Sequence, residues 1–261
     1  MVIFWMQVRP VKITGNETPD TYKLKYEEVT LTSYDKTKLS AWYIPAVKET
    51  DKAILLLHGY PMDKSDLLGT ASLYQANFNV LLLDQRYFGK SEGKYCTFGK
   101  KESEDAKIAI TFLESKGNKN IGIFGYSIGG ATAFLTAEKD SRVKAIATYA
   151  PYADLKLLTY EQYGKIPFVG KPFTLLMTLW AKILFGNLPS PKSAAERIKI
   201  PVLLIQNPKD EVISFEHGKI FKNALNNNYS AQTYFPEHGG THNEPPLDFE
   251  IKTNYFFKNS L

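Results

Sequence analysis

Residues 125–129 read Gly-Tyr-Ser-Ile-Gly, and their neighbours decide the fold. Residues 120–124 form a short apolar run that suits a strand. From Ile128 onward, Ala131, Ala133, Phe134 and Ala137 suit a helix. A serine between glycines at a strand-to-helix turn is the signature of a nucleophile elbow. The turn is so tight that the serine takes strained dihedrals, and a side chain at either flanking position would strike the neighbouring strand or helix. Both flanks are therefore glycine, with a third small residue at Gly130. This geometry predicts that the Ser127 hydroxyl stands clear at the top of a sheet, with a helix N-terminus behind it.

Outward from the elbow, short continuous apolar runs recur at 53–57, 80–83, 121–124, 143–149, 202–205 and 231–235. Runs of this kind suit strands buried on both faces, as in a parallel sheet. Helical patterns at 65–75, 101–115, 128–139, 215–226 and 246–259 separate them. Before them, residues 24–33 and 39–44 mostly alternate apolar and polar around an Asp35-Lys-Thr turn, which reads as an antiparallel hairpin. The alternation predicts an α/β class: a doubly wound, mostly parallel eight-stranded sheet flanked by helices. The whole chain, 1–261, reads as a single domain.

Residues 151–197 break the rhythm. They hold a proline- and glycine-bearing stretch at 166–172 and an apolar helical run at 173–185 that carries Trp180 and Lys182. That run is too short to span a bilayer, which takes about 20 residues. It reads either as a buried helix or as a lid whose apolar side faces the pocket above Ser127. The insertion leaves the C-terminal end of a strand, where open α/β sheets bind ligands, and this selects the lid.

A net charge of +5 is spread along the chain, with its basic stretches short and mixed with acids, so a nucleic-acid groove is not expected. A single cysteine, Cys96, rules out an intrachain disulfide and fits a reducing compartment, so a cytoplasmic location is expected. Cys96 lies in a loop without elbow context and reads as an inert thiol. Residues 1–8 are apolar but lack the basic region and cleavage site of a signal peptide. They read as an edge segment packed on the body, with the stump of an anchor as the alternative. The four histidines are not spaced as a metal-ligand set, and no Gly-x-Gly-x-x-Gly fingerprint is present, so neither metal nor nucleotide cofactor is expected.

A serine hydroxyl needs a base within hydrogen-bond reach, and the base needs an acid to hold its tautomer. Elbow proteins carry these along the chain in the order serine, acid, histidine. The loop after the run at 202–205 offers Asp210, with Glu211 adjacent as the second choice. The loop after the last strand carries two histidines: His242, just before the prolines that open the final helix, and His238, nearer the strand end. His242 is the expected base. His217, beside Glu216 on a helix, reads as a surface residue. His58 reads as a structural tie between loops. The backbone N–H groups of Tyr60 and Ile128 are the expected oxyanion donors.

Together these features resemble the α/β-hydrolase fold family, in particular its small lid-bearing esterase and serine-aminopeptidase-like members, over about residues 22–257. The family's Asp-x-Arg-Gly-x-Gly-x-Ser stretch corresponds to Asp84-Gln-Arg-Tyr-Phe-Gly-Lys-Ser91, with Tyr87 in place of the first glycine. In the acid loop, Asn207 stands where the family usually has glycine, and a left-handed backbone is expected there. The stretch 190–201 resembles the family's return from lid to core. The resemblance implies a serine hydrolase working on Ser127, His242 and Asp210 through an acyl-enzyme, with a small-molecule carboxylic ester as the expected substrate. Phe168, Phe173, Met177 and Trp180 of the insertion are the expected substrate contacts. Peptidase, thioesterase and acyltransferase chemistry on the same residues stay open. So does a membrane-surface binding protein using the apolar helix, which ranks below a closed lid.

Overall fold

The six apolar runs become the centre and one edge of a single sheet. In the computed structural model, which describes residues 2–237 and 239–261, the strands are β1 (Glu27–Thr32), β2 (Lys38–Ile44), β3 (Lys52–Leu57), β4 (Asn79–Leu83), β5 (Asn120–Tyr126), β6 (Val143–Tyr149), β7 (Val202–Ile205) and β8 (Ala231–Tyr234). They line up in the order β1-β2-β4-β3-β5-β6-β7-β8. β2 runs antiparallel to β1 and to β4, and every pairing from β4 to β8 is parallel. β4 and β7 are buried throughout, as their unbroken apolar sequences require, whereas the edge strands β1 and β8 alternate or stay half open. β1 starts later than the alternation suggests, its pairing with β2 beginning at Glu27 opposite Tyr43.

Helices cover both faces. α1 (Val2–Val8) precedes the sheet, and α2 (Leu68–Tyr74) follows a 3₁₀ turn at Lys64–Leu67. Next come α3 (Lys100–Ser115) and α4 (Ile128–Lys139). Between β6 and β7 lie α5 (Leu155–Thr159), a π-turn at Tyr160–Gly164, α6 (Gly170–Phe185) and α7 (Pro191–Arg197). α8 (Phe215–Ala224) and α9 (Phe249–Ser260) complete the chain. One face is filled by Ile110, Leu113, Phe134, Ala194 and Phe221 from α3, α4, α7 and α8. Leu68, Tyr74, Phe249 and Phe257 from α2 and α9 fill the other. Among the described residues no helix is long and apolar enough to cross a membrane.

The apolar N-terminus packs on the body as expected, and it does so as a helix. Its Phe4 and Val8 are four apart, so they share a face, and they bury against Met177, Ala181 and Phe185 of α6. The Tyr60 hydroxyl donates to the Gln7 carbonyl at 2.9 Å and Gln7 Nε2 donates to the Tyr163 hydroxyl at 2.6 Å, which fasten α1 to the body.

Tyr87, in the place of a family glycine, takes φ 76°. Its N–H donates to Glu92 O at 2.7 Å and its hydroxyl to Pro10 O at 2.6 Å, so local hydrogen bonds hold a conformation that side chains seldom adopt. Nearby, Asp84 forms a buried ion pair with Lys64 at 2.5 Å.

Candidate active site

β5 ends at Tyr126, and the chain reverses into α4 at Ser127, whose φ and ψ are 52° and −113°. Such dihedrals cost a non-glycine residue about 1–3 kcal/mol and persist only where the surroundings enforce them. Here the enforcement is backbone packing. A Cβ on Gly125 would meet the Gly129 carbonyl oxygen at 2.3 Å, and one on Gly129 would meet the Leu57 carbonyl oxygen at 2.1 Å. The Ser127 N–H donates to Tyr149 O at 2.8 Å, which pins the turn to β6.

The loops after β7 and β8 bring Asp210 and His242 to this serine. Nε2 of His242 lies 3.2 Å from Ser127 Oγ, and its Nδ1 lies 2.7 Å from Asp210 Oδ2. With the Nδ1 proton donated to the carboxylate, Nε2 is left as an acceptor for the serine hydroxyl. Asp210 is itself fixed: Oδ1 accepts from the N–H groups of Val212 and Ile213 at 2.9 and 2.7 Å, and Oδ2 accepts from Gln206 Nε2 at 3.2 Å. All three side chains are buried or nearly so. His238 lies outside the described residues.

Three further residues hold His242, and the sequence by itself assigns this role to none of them. Glu211, the second choice for the acid, instead accepts the His242 backbone N–H at 3.0 Å. The Tyr126 hydroxyl donates to His242 O at 2.7 Å; burial, followed by the charges of Asp210 and Glu211, pushes its pKa upward and keeps it a donor. Asn207 is not left-handed, since it is absent from the positive-φ residues. Its role is carried by its side chain: Nδ2 faces Tyr149 Oη at 2.7 Å, Glu244 O at 2.9 Å and Thr241 O at 3.2 Å, tying the acid loop to the loop of His242. No local pattern distinguishes these roles, because each depends on a partner 30 or more residues away.

His217 is a correction. It is fully buried, not on the surface. Its Nδ1 accepts the Ala153 N–H at 2.9 Å, and Nε2 faces Glu161 Oε2 at 3.3 Å, so it clasps α8 to the start of the 151–197 insertion. α8 turns this residue inward with Phe221, four positions on. Burial pushes its pKa below the ordinary histidine value, and the Glu161 carboxylate opposes that shift. His58 does tie loops together: Nδ1–H donates to Gly59 O at 2.7 Å, and Nε2 accepts the Gln85 N–H at 3.0 Å. Among the described residues, the N–H groups of Tyr60 and Ile128 have no acceptor within the chain.

The expected substrate contacts separate. Phe168 is 100% exposed, because a left-handed φ of 62° turns it out at the tip before α6. Phe173 and Trp180 pack against the α1–α6 cluster, with Phe173 edge-on to Tyr163. Met177 lines a small cavity together with Val8, Phe98, Leu158 and Phe185, which the other three do not border. Neither Ser127 nor His242 borders it. A larger groove runs past Tyr60, Met62, Tyr126, Asn243 and Phe249 without any residue of the insertion; Ser127 and His242 do not border it either, although their chain neighbours Tyr126 and Asn243 do. The insertion reaches the site's wall through Leu158, which packs in one cluster with Ile128 and Ile213.

Residues 52–168 match the family described as alpha/beta hydrolase fold, a span that includes Ser127 and stops before Asp210 and His242. An esterase of Pyrococcus furiosus, Pf2001, superposes with a TM-score of 0.81 at 23% identity, covering 97% of this chain and 99% of that one. The chain has the α/β-hydrolase fold. Among curated relatives, protein bem46 of Schizosaccharomyces pombe is 25% identical over 205 residues, 75% of this chain and 64% of its own length. Thiohydrolase aneE of Aspergillus aculeatus is 32% identical over 141 residues, 51% of this chain and 44% of its own. The chain thus spans less than two thirds of either curated relative.

Proposed function

We propose that this α/β-hydrolase cleaves carboxylic esters through Ser127, His242 and Asp210. The observation that carries the proposal is the unbroken run of contacts from Asp210 through the imidazole to the Ser127 hydroxyl, at 2.7 and 3.2 Å. His242 Nε2 takes the hydroxyl proton as Oγ attacks the acyl carbon. The N–H groups of Tyr60 and Ile128 receive the oxyanion, each such donor being worth about 3 kcal/mol in the transition state. The imidazolium then returns its proton to the leaving alcohol as the acyl–oxygen bond breaks. A water that loses its proton to the same imidazole adds to the acyl-enzyme and frees the acid and Ser127. Asp210 holds the tautomer and stabilises the cation, while Glu211 and Tyr126 hold the histidine backbone. The groove past Tyr60 and Tyr126, lined by Met62 and Phe249, suits an apolar arm of the ester. Likeness to a protein titled an esterase agrees with this reading.

A thioester is the second reading, favoured by the 32% identity with a protein named a thiohydrolase. Both share the acyl-enzyme and differ in the leaving group. A fluorophosphonate probe should label the wild type and leave Ser127→Ala unlabelled, and His242→Ala should lose turnover by at least about a thousandfold. Parallel series of p-nitrophenyl esters and acyl thioesters, acetyl to palmitoyl, separate the two readings. Equal labelling of wild type and Ser127→Ala would end the proposal.

A further inference from the structure

We propose that the outer face of α6 is a docking surface for an anionic lipid bilayer. α6 is apolar on two sides. Its inner side, Met177, Ala181 and Phe185, is covered by Phe4 and Val8 of α1. Its outer side is not covered: Leu175 is 72%, Leu179 51% and Ile183 63% exposed, and Leu176 also faces out. At about 100° per residue, these four fall within an arc of about 100°, a continuous stripe rather than scattered exposures. Phe168 and Val169, at the tip just before the helix, extend the exposed apolar surface. Soluble proteins seldom leave so concentrated an apolar surface to water unless something covers it.

The charges around the stripe identify the occupant. Residues 162–195 contain no aspartate or glutamate, although the chain as a whole has 27. Lys165, Lys171 and Lys182 are exposed, and among the described residues none of them forms an ion pair. Lys171 and Lys182 lie on the helix within about 40° of Leu175, bordering one edge of the stripe. There their stems can run along apolar surface while the ammonium groups reach headgroup phosphates. A second copy of the chain is a poorer match. A two-fold pairing through this face would set Lys171 and Lys182 against their own copies, with no acid in 162–195 to neutralise them. An anionic membrane satisfies both the apolar stripe and the lysines. α6 has 16 residues, about 24 Å, so it would lie in the interface rather than cross it.

The test is co-sedimentation with phosphatidylcholine vesicles, alone or with about 30% phosphatidylglycerol. The wild type should pellet with the anionic vesicles and be released by about 0.5 M salt. Leu179→Glu combined with Ile183→Glu should weaken partition at least about tenfold, and a thermal melt should show the fold retained, since both side chains already face water. Lys171→Glu with Lys182→Glu should abolish the preference for anionic over neutral vesicles. Light scattering on the same proteins gives the opposing outcome. A wild-type dimer that Leu179→Glu and Ile183→Glu dissolve, with no vesicle binding, would assign the face to a second copy and overturn the proposal. Wild-type protein that ignores both vesicle types would overturn it equally.

Discussion

Replacing Asn207 by alanine tests how the base loop is held. The amide orientation is fixed by its surroundings: the carbonyls of Glu244 and Thr241 can only accept, so the nitrogen must face them. An NH₂ group has two protons, and the two shorter contacts, to Tyr149 Oη at 2.7 Å and Glu244 O at 2.9 Å, use them best. Two buried hydrogen bonds at about 1 kcal/mol net each, plus the cost of leaving acceptors short of a donor, predict a loss of about 2–3 kcal/mol. The Tyr149 hydroxyl keeps one partner, Thr241 O at 3.4 Å, which limits the loss. The freed segment carries His242, so the Nε2–Oγ alignment should suffer as well. A displacement near 1 Å costs roughly tenfold to a hundredfold in rate. The assay pairs urea denaturation followed by tryptophan fluorescence with the rate of fluorophosphonate labelling. Stability within about 0.5 kcal/mol of wild type would show that Glu211 and Tyr126 hold the loop without Asn207. Lost stability with an unchanged labelling rate would show that the tether does not position the base.

Gly129→Ala should abolish soluble folded protein or destabilise it by more than about 3 kcal/mol, because its Cβ would sit 2.1 Å from a backbone oxygen that cannot move aside. Gly130→Ala, whose nearest contact is 3.0 Å, should be milder, and equal yields and melting temperatures for the two would refute the packing argument. Burial lowers the pKa of His58 and His217, so the folded state holds both neutral while the unfolded chain protonates them near pH 6.5. Their contribution to stability is therefore whole above pH 6.5 and is lost as the pH falls from there toward the depressed folded values. Each can add up to about 1.4 kcal/mol per pH unit to that slope. His217→Gln should remove one such contribution in urea titrations at pH values between about 5 and 7. An unchanged slope would contradict the neutral, buried assignment.

Much of this molecule is written in local order. The apolar runs and the periodicities between them mark the strands and helices, because burial on two faces or one leaves a signature within a few residues. The Gly-Tyr-Ser-Ile-Gly turn places the nucleophile candidate, since its constraint is steric and local. The order serine, acid, histidine along the chain pointed to Asp210 and His242. What the sequence left open depends on distant partners. Only the fold sets Asn207 against Thr241 and Glu244, turns Glu211 from candidate acid to backbone anchor, and buries His217 between α8 and the insertion. The same holds for the insertion's helix. Its composition declares it apolar, but composition does not say which side is covered. α1, some 170 residues earlier in the chain, covers one side with Phe4 and Val8, and the other is left facing outward. Hydrophobicity belongs to a residue, whereas burial belongs to a pair of surfaces, and the second surface comes from elsewhere in the chain.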